Sequence, residues 1–271
     1  MKKVGGTTLE RMLKSQRLEY YSRNLDADDA KVLAYVVSVS TVLKELYVGA
    51  NRIGNSGAAA LAESLKANRV LKELSLNGNS IGDAGAVALA DALRVNTVLT
   101  MVSLAENAIA DEGAAAIAVA LKANAVLKDL YLFDNGISDQ GAVAIAEALR
   151  VNARLEHLVF DGNRIGDDGA TALARALRVN TGLTLLHIAE NKISQHGKSE
   201  LQKVGPNAQD IDNNTSMRRM RKLEQGQRHR RLVGQGAGDA VAIGVLQRKN
   251  RRVGAKDGAK VNHRAALSLM Y

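Results

Sequence analysis

Few residues in this chain of 271 have the type and spacing that could do chemistry, and they fall into three groups. His157 and His187 lie in the stretches "LEHLVFDG" and "LLHIAEN". A histidine there can serve as acid, base or metal ligand. Neither has a nucleophile or a second ligand pair at a recognisable spacing and the chain has no cysteine, so no catalytic residue, metal site or cofactor is expected. The second group is Asn51, Asn79, Asn107, Asn135, Asn163 and Asn191, one every 28 residues. An asparagine at a fixed turn position between apolar residues is costly to bury unless its amide meets backbone N–H and C=O groups, which reads as a structural column and not as catalysis. The third group is aromatic: Tyr131 and Phe133, which should stand beside His157 and Val159 on the adjacent strand. Aromatic anchors ringed by polar groups are typical of binding hot spots, although ordinary cross-strand contacts that stiffen a sheet use the same residues.

The elements that position these groups repeat with the same period. Leu43, Leu71, Leu99, Leu127, Leu155 and Leu183 open the units, and Leu46, Leu74, Val102, Leu130, Leu158 and Leu186 follow three residues later. Val48, Leu76, Leu104, Leu132, Phe160 and Ile188 come two further on, a spacing that reads as a short strand with one buried face. After the asparagine come an isoleucine (Ile53 to Ile193) and a glycine (Gly57, Gly85, Gly113, Gly141, Gly169, Gly197), the glycine marking either close approach of adjacent coils or an unusual φ. The periodicity then changes. Ala58, Leu61, Ala62 and Leu65 form one apolar stripe on a three-turn helix, repeated at Ala86, Leu89, Ala90 and Leu93. Asp83, Asp111, Asp139 and Asp167 stand where they could cap the helix entry, and Lys66, Arg94, Lys122, Arg150 and Arg178 where they complement its negative end.

The pattern L-x-x-L-x-L-x-x-N-x-I-x-x-x-G followed by an Ala/Leu helix resembles the ribonuclease-inhibitor-like leucine-rich repeats, which also occur in NLR-type receptors and in the GTPase-activating protein of the nuclear-transport GTPase Ran. The resemblance covers Leu43 to about Val204 in six in-register copies. It implies an α/β solenoid, a horseshoe with parallel strands on its concave face, helices on its convex face and a buried asparagine in each turn. It also implies protein partners. Strand residues between the buried leucines then point onto the concave face: Glu45 and Tyr47; Glu73 and Ser75; Met101 and Ser103; Asp129, Tyr131 and Phe133; His157, Val159 and Asp161; Leu185 and His187. Of these, Tyr47, Asp129, Tyr131, Phe133, His157, Val159, Asp161 and His187 are the expected partner-binding set.

Residues 1–42 read as an N-terminal cap, 43–206 as the repeat domain and 207–271 as a basic, disordered tail. Shifting the register back by one period sets Leu18 at Leu46, Tyr20 at Val48 and Leu25 at Ile53, a degenerate repeat with Arg23 in the asparagine place. Thr7 and Glu10 give a capping-box signal for a short leading helix. The formal charge of +9 belongs to the tail, which holds 14 Lys/Arg and 5 Asp/Glu and leaves 23 of each sign before it. Its clusters from Arg218 to Arg252 fit a localisation signal, or loose binding of nucleic acid or another polyanion. "GQGAGDAVAIG" lacks the spacing of a dinucleotide loop. No apolar stretch suits a secretory signal or a bilayer span, and with no cysteine a cytoplasmic, possibly nuclear, setting is expected. The resulting expectation is a non-enzymatic interaction module or scaffold binding a protein on its concave sheet. The alternatives are a small-GTPase activator and an RNA- or chromatin-associated adaptor anchored by the tail. Oligomeric state is not legible.

Overall fold

The computed structural model describes residues 3–204. Gly205, Pro206, the basic clusters and the glycine-rich stretch of the tail lie outside the described residues. An antiparallel pair, β1 (Lys3–Val4) and β2 (Thr7–Thr8), leads into α1 (Leu9–Leu13). Seven strands of three residues follow: β3 (Arg17–Glu19), β4 (Glu45–Tyr47), β5 (Glu73–Ser75), β6 (Met101–Ser103), β7 (Asp129–Tyr131), β8 (His157–Val159) and β9 (Leu185–His187). They form one parallel sheet in sequence order. Register equals the repeat, so that Leu18, Leu46 and Leu74 stand side by side, as do Leu130, Leu158 and Leu186.

Helices alternate with the strands: α2 (Ala27–Val39), α3 (Gly54–Ala67), α4 (Asp83–Val95), α5 (Asp111–Ala123), α6 (Asp139–Leu149), α7 (Asp167–Leu177) and α8 (Gln195–Gln202). The middle residue of each strand and the alanine–leucine stripe of each helix meet in one continuous core. Alanines at Ala58, Ala86, Ala114, Ala142 and Ala170 are fully buried and keep the helix backbones near the sheet. This is the α/β solenoid that the period implies.

Two columns of amides hold the coils in register. Asn79 Nδ2 shares its two hydrogens among the carbonyls of Val48, Leu76 and Asn77, each at 3.0 Å. Asn107 Oδ1 accepts from the backbone N–H groups of Asn79 and Ile81 in the preceding coil, both at 3.0 Å. Only asparagine brings donor and acceptor to one short side chain this way. Asn51, Asn79 and Asn163 are buried, whereas Asn107, Asn135 and Asn191 are half-buried, a refinement of the expectation that all six are buried. The second column, Asn68, Asn96, Asn124, Asn152 and Asn180, joins helix exits to the next strand. Asn96 Nδ2 donates to Leu65 O at 2.7 Å, and Asn96 Oδ1 accepts from Val98 N and Leu99 N at 2.9 and 2.7 Å. In the first coil Ser40 Oγ keeps only the acceptor half, taking Val42 N and Leu43 N at 3.3 and 3.1 Å.

The helix-entry aspartates act differently from the expectation. Each is the first residue of its helix, yet it caps the next one. Asp83 Oδ1 accepts from Ala110 N and Gly113 N at 2.7 and 2.9 Å, and Asp139 Oδ1 from Gly166 N and Gly169 N at 2.7 and 2.8 Å. Stacking offsets each carboxylate to the neighbouring helix end, where free N–H groups and the positive dipole meet it. Burial alone would raise the Asp111 carboxyl, but hydrogen bonds from Ser138 and Gly141 outweigh it and hold that group below the usual carboxylate range.

The same geometry accounts for the repeated glycine. A Cβ on Gly141 would stand 2.7 Å from Asp111 Oδ1, 2.8 Å from Ile137 Cγ2 and 2.9 Å from Ala114 Cβ. Close approach is therefore the reason, and left-handed backbone falls elsewhere in the turn. At the N-terminus the helix cap is Thr8 with no side-chain hydrogen bond, because Thr7 is committed to β2; the Thr7–Glu10 capping box does not form.

Candidate protein-binding face

A three-residue strand sends its middle side chain into the core and its first and third out onto the open face, the one away from the helices. That face therefore carries Arg17 and Glu19, Glu45 and Tyr47, Glu73 and Ser75, Met101 and Ser103, Asp129 and Tyr131, His157 and Val159, Leu185 and His187. At one equivalent place past the strand every coil has a left-handed residue: Ser22, Ala50, Gly78, Glu106, Asp134, Gly162 and Glu190, with φ from 51 to 66°; Asn24, Gly54 and Ser80 add a second in the first three coils. Gly78 and Gly162 show what the fold prefers there; Glu106 and Glu190 keep an exposed carboxylate at that position.

The first three coils are tied together. Arg17 pairs with Glu19 and, at 2.6 Å, with Glu45, and its guanidinium lies 4.6 Å from the centre of the Tyr47 ring. The Tyr47 hydroxyl donates to Glu73. Burial, the bond to Glu73 and the nearby carboxylates push the Tyr47 phenol far above its ordinary range, so it stays a donor. Tyr47 is thus part of a closed network and not a free anchor.

In the later coils His157 Nδ1 meets Asp129 Oδ1 at 2.5 Å. The bond to Asp129 holds the His157 imidazolium above the usual histidine range, against the burial that works the other way. Lys128 pairs with Glu156 at 2.7 Å and keeps that carboxyl low. Asp161 Oδ1 accepts from Ala189 N at 2.5 Å, and His187 Nδ1 lies 3.9 Å from the other oxygen of Asp161.

Four of the eight expected partner-binding residues are not on the surface. Phe133, Val159, Asp161 and His187 are at most 6% exposed. Phe133 and Val159 form a small separate cluster with Ala105, and Tyr131 packs against it. The cause is lateral: strands stand about 4.8 Å apart, so a large side chain beside a small one such as Ala105 lies over it and is itself covered. Tyr47, Asp129, Tyr131 and His157 remain half-exposed. Met101 and Leu185, also half-exposed, extend the apolar strip, and Glu106, Asp134 and Glu190 border it. Met101 and Leu185 are outward in the repeat pattern but outside the expected binding set, whereas Glu106, Asp134 and Glu190 lie beyond it, and their signal is a place in the repeat where sibling coils carry serine, alanine or glycine.

Among the described residues no cluster of three histidine or acidic groups could hold a metal, and no helix is long and apolar enough to cross a membrane.

A parallel sheet of in-register coils bonded through amide columns defines a leucine-rich repeat solenoid. Five successive segments, 39–62, 67–90, 95–118, 123–146 and 151–174, match the leucine-rich repeat family, and the chain belongs to it. A ribonuclease-inhibitor-like subtype agrees with the helix in every unit. Solved structures that resemble it include actin-binding site 2 of leiomodin-1, at 26% identity over 62% of this chain and 95% of that one, with a TM-score of 0.47. The tropomodulin C-terminal domain of Caenorhabditis elegans is similar at 17% identity over 62% of this chain and 98% of that one, with a TM-score of 0.48. No curated protein matches the sequence.

Proposed function

We propose that the chain is a non-enzymatic protein-interaction module whose open sheet face, the concave face of the family, is the docking surface. The observation that carries this reading is the division of labour within each coil. Amides, carboxylates and leucines that hold the frame point inward or along the edges, and the half-exposed Met101, Tyr131, His157 and Leu185 lie outside the main core, on the open face. A rigid frame that presents apolar and aromatic groups in a polar border binds by shape and hot-spot complementarity, with little ordering cost on its own side.

The test is capture of partners from the source cells by the full chain. Tyr131→Ala with Met101→Ala should lose the captured protein while the melting temperature stays within a few degrees. Val119→Ser, on the helix side where Val119 is 54% exposed, should retain it. Equal loss in both variants would move the docking face off the sheet.

A further inference from the structure

Electrostatics divide the open face more sharply than side-chain size does. Consider in each coil the strip from the residue before the strand to the left-handed residue. In coils one to three it carries Arg17, Lys44 and Lys72 against Glu19, Glu45 and Glu73, a balance of zero. In coils four to seven it carries Lys128 against Glu106, Asp129, Asp134, Glu156 and Glu190, a net charge of −4, or −3 when His157 is protonated; Asp161 lies buried beneath it. Arg52, Arg164 and Lys192 lie past the asparagines, on the edge that leads to the helices. The surplus therefore belongs to the same strands that carry Met101, Tyr131 and Leu185.

A second observation singles out the same place. Ser103 is third in β6, facing outward between Ser75 and Tyr131. It is 5% exposed, and its hydroxyl has no hydrogen-bond partner. A buried hydroxyl without a partner is destabilising, and an incoming polar group could meet it. In the first three coils the outward polar groups Arg17, Glu45, Tyr47 and Glu73 are engaged with one another, and in the later coils Asp129 with His157 and Lys128 with Glu156, so that the exposed Glu106 and Glu190 carry the rim.

We propose that coils four to seven dock a basic segment of another protein, one with an apolar or aromatic side chain among lysines and arginines. This rests on the reading of the sheet as the docking face and narrows it to one half and one partner chemistry. The apolar anchor settles beside Tyr131, Met101 and Leu185. Cationic groups reach Glu106, Asp134 and Glu190 along the border, and a polar atom of the segment meets the Ser103 hydroxyl. Complementary fields of this kind steer encounter and select against acidic competitors more than they add raw affinity.

The experiment uses the full chain and two synthetic peptides of equal length with the same leucines and tyrosine. The remaining positions are lysine and arginine in one peptide, aspartate and glutamate in the other. Fluorescence anisotropy at low salt should show binding of the basic peptide alone. The pair Glu106→Lys and Glu190→Lys should weaken it at least about ten-fold, a gap that closes as salt is raised. Glu106→Gln with Glu190→Gln should give a smaller loss in the same direction and guards against misfolding of the reversal. Lys44→Ala with Lys72→Ala in the first coils should leave binding within about two-fold. Equal binding of the acidic peptide, or indifference to both rim pairs, would overturn the proposal. Carbodiimide coupling of Glu106 or Glu190 to the chain's own tail lysines in place of the peptide would overturn it too. Capture that depends on Tyr131 and Met101 but not on the rim carboxylates leaves the docking face standing and removes only the basic partner; loss of both dependences removes both readings.

Discussion

Coils one to three and coils four to seven share one frame and present two different faces. Behind both, the same amide columns and leucine layers recur at the same period, and from the second coil on a side-chain oxygen, of Asn55 and then of Asp83 to Asp167, caps the next helix. In front, Arg17, Glu45, Tyr47 and Glu73 close on themselves, while the later coils pair Asp129 with His157 and Lys128 with Glu156 and add half-exposed Met101 and Leu185 and exposed Glu106 and Glu190. Alternation along a strand separates the two tasks, because the residues that specify register never share a face with those that vary. A solenoid can therefore rewrite its surface coil by coil without disturbing its fold.

If the frame is common, damage to it should be equally severe in either half. Asn79→Ala and Asn163→Ala each take one of two donors from three carbonyls and leave one buried backbone N–H, that of Ile53 or Ile137, without its acceptor. Each should cost about 3 kcal/mol or more by denaturant unfolding, and a large difference between them would break the comparison. Gly85→Val should cost about 2 kcal/mol, since a Cβ there stands 2.7 Å from Ile81 Cγ2 and 2.8 Å from Asn55 Oδ1. An unchanged melting temperature would count against the close stacking of coils. Asp139→Ala removes a cap shared with the next helix and should cost about 1 kcal/mol.

Changes to the face should be smaller and should differ between halves. Glu106→Gly relieves a left-handed backbone and should stabilise by up to about 1 kcal/mol, while weakening the basic probe; a loss of stability would contradict the strain. The smallest effect concerns pH. The folded-state pKa of His157 is raised by Asp129, so the stabilisation is complete below the ordinary histidine value and fades as pH rises through the raised one. Asp129→Asn should lower the His157 midpoint in an NMR titration, and an unmoved midpoint would place the two groups apart in solution.

The period, the strand register and the class of fold were legible because identical spacing fixes which leucines can share a core. The asparagine turn was legible for the same reason. The second amide column was not legible, although Asn68, Asn96, Asn124, Asn152 and Asn180 repeat as regularly, because an asparagine at a helix exit looks like ordinary punctuation. That Asp83 caps the helix of the following coil depends on how coils stack, which spacing within one unit does not reveal. Phe133 and Val159 failed as surface anchors for a related reason: whether an outward side chain is exposed is decided by its neighbours on adjacent strands, 28 residues away.

The most direct test of one frame with two faces is amide hydrogen exchange on the full chain with saturating basic peptide. Added protection is expected in 101–106, 129–134 and 185–190, with 17–22, 45–50 and 73–78 unchanged. Protection that falls on the first three coils, or on the helices, would contradict it.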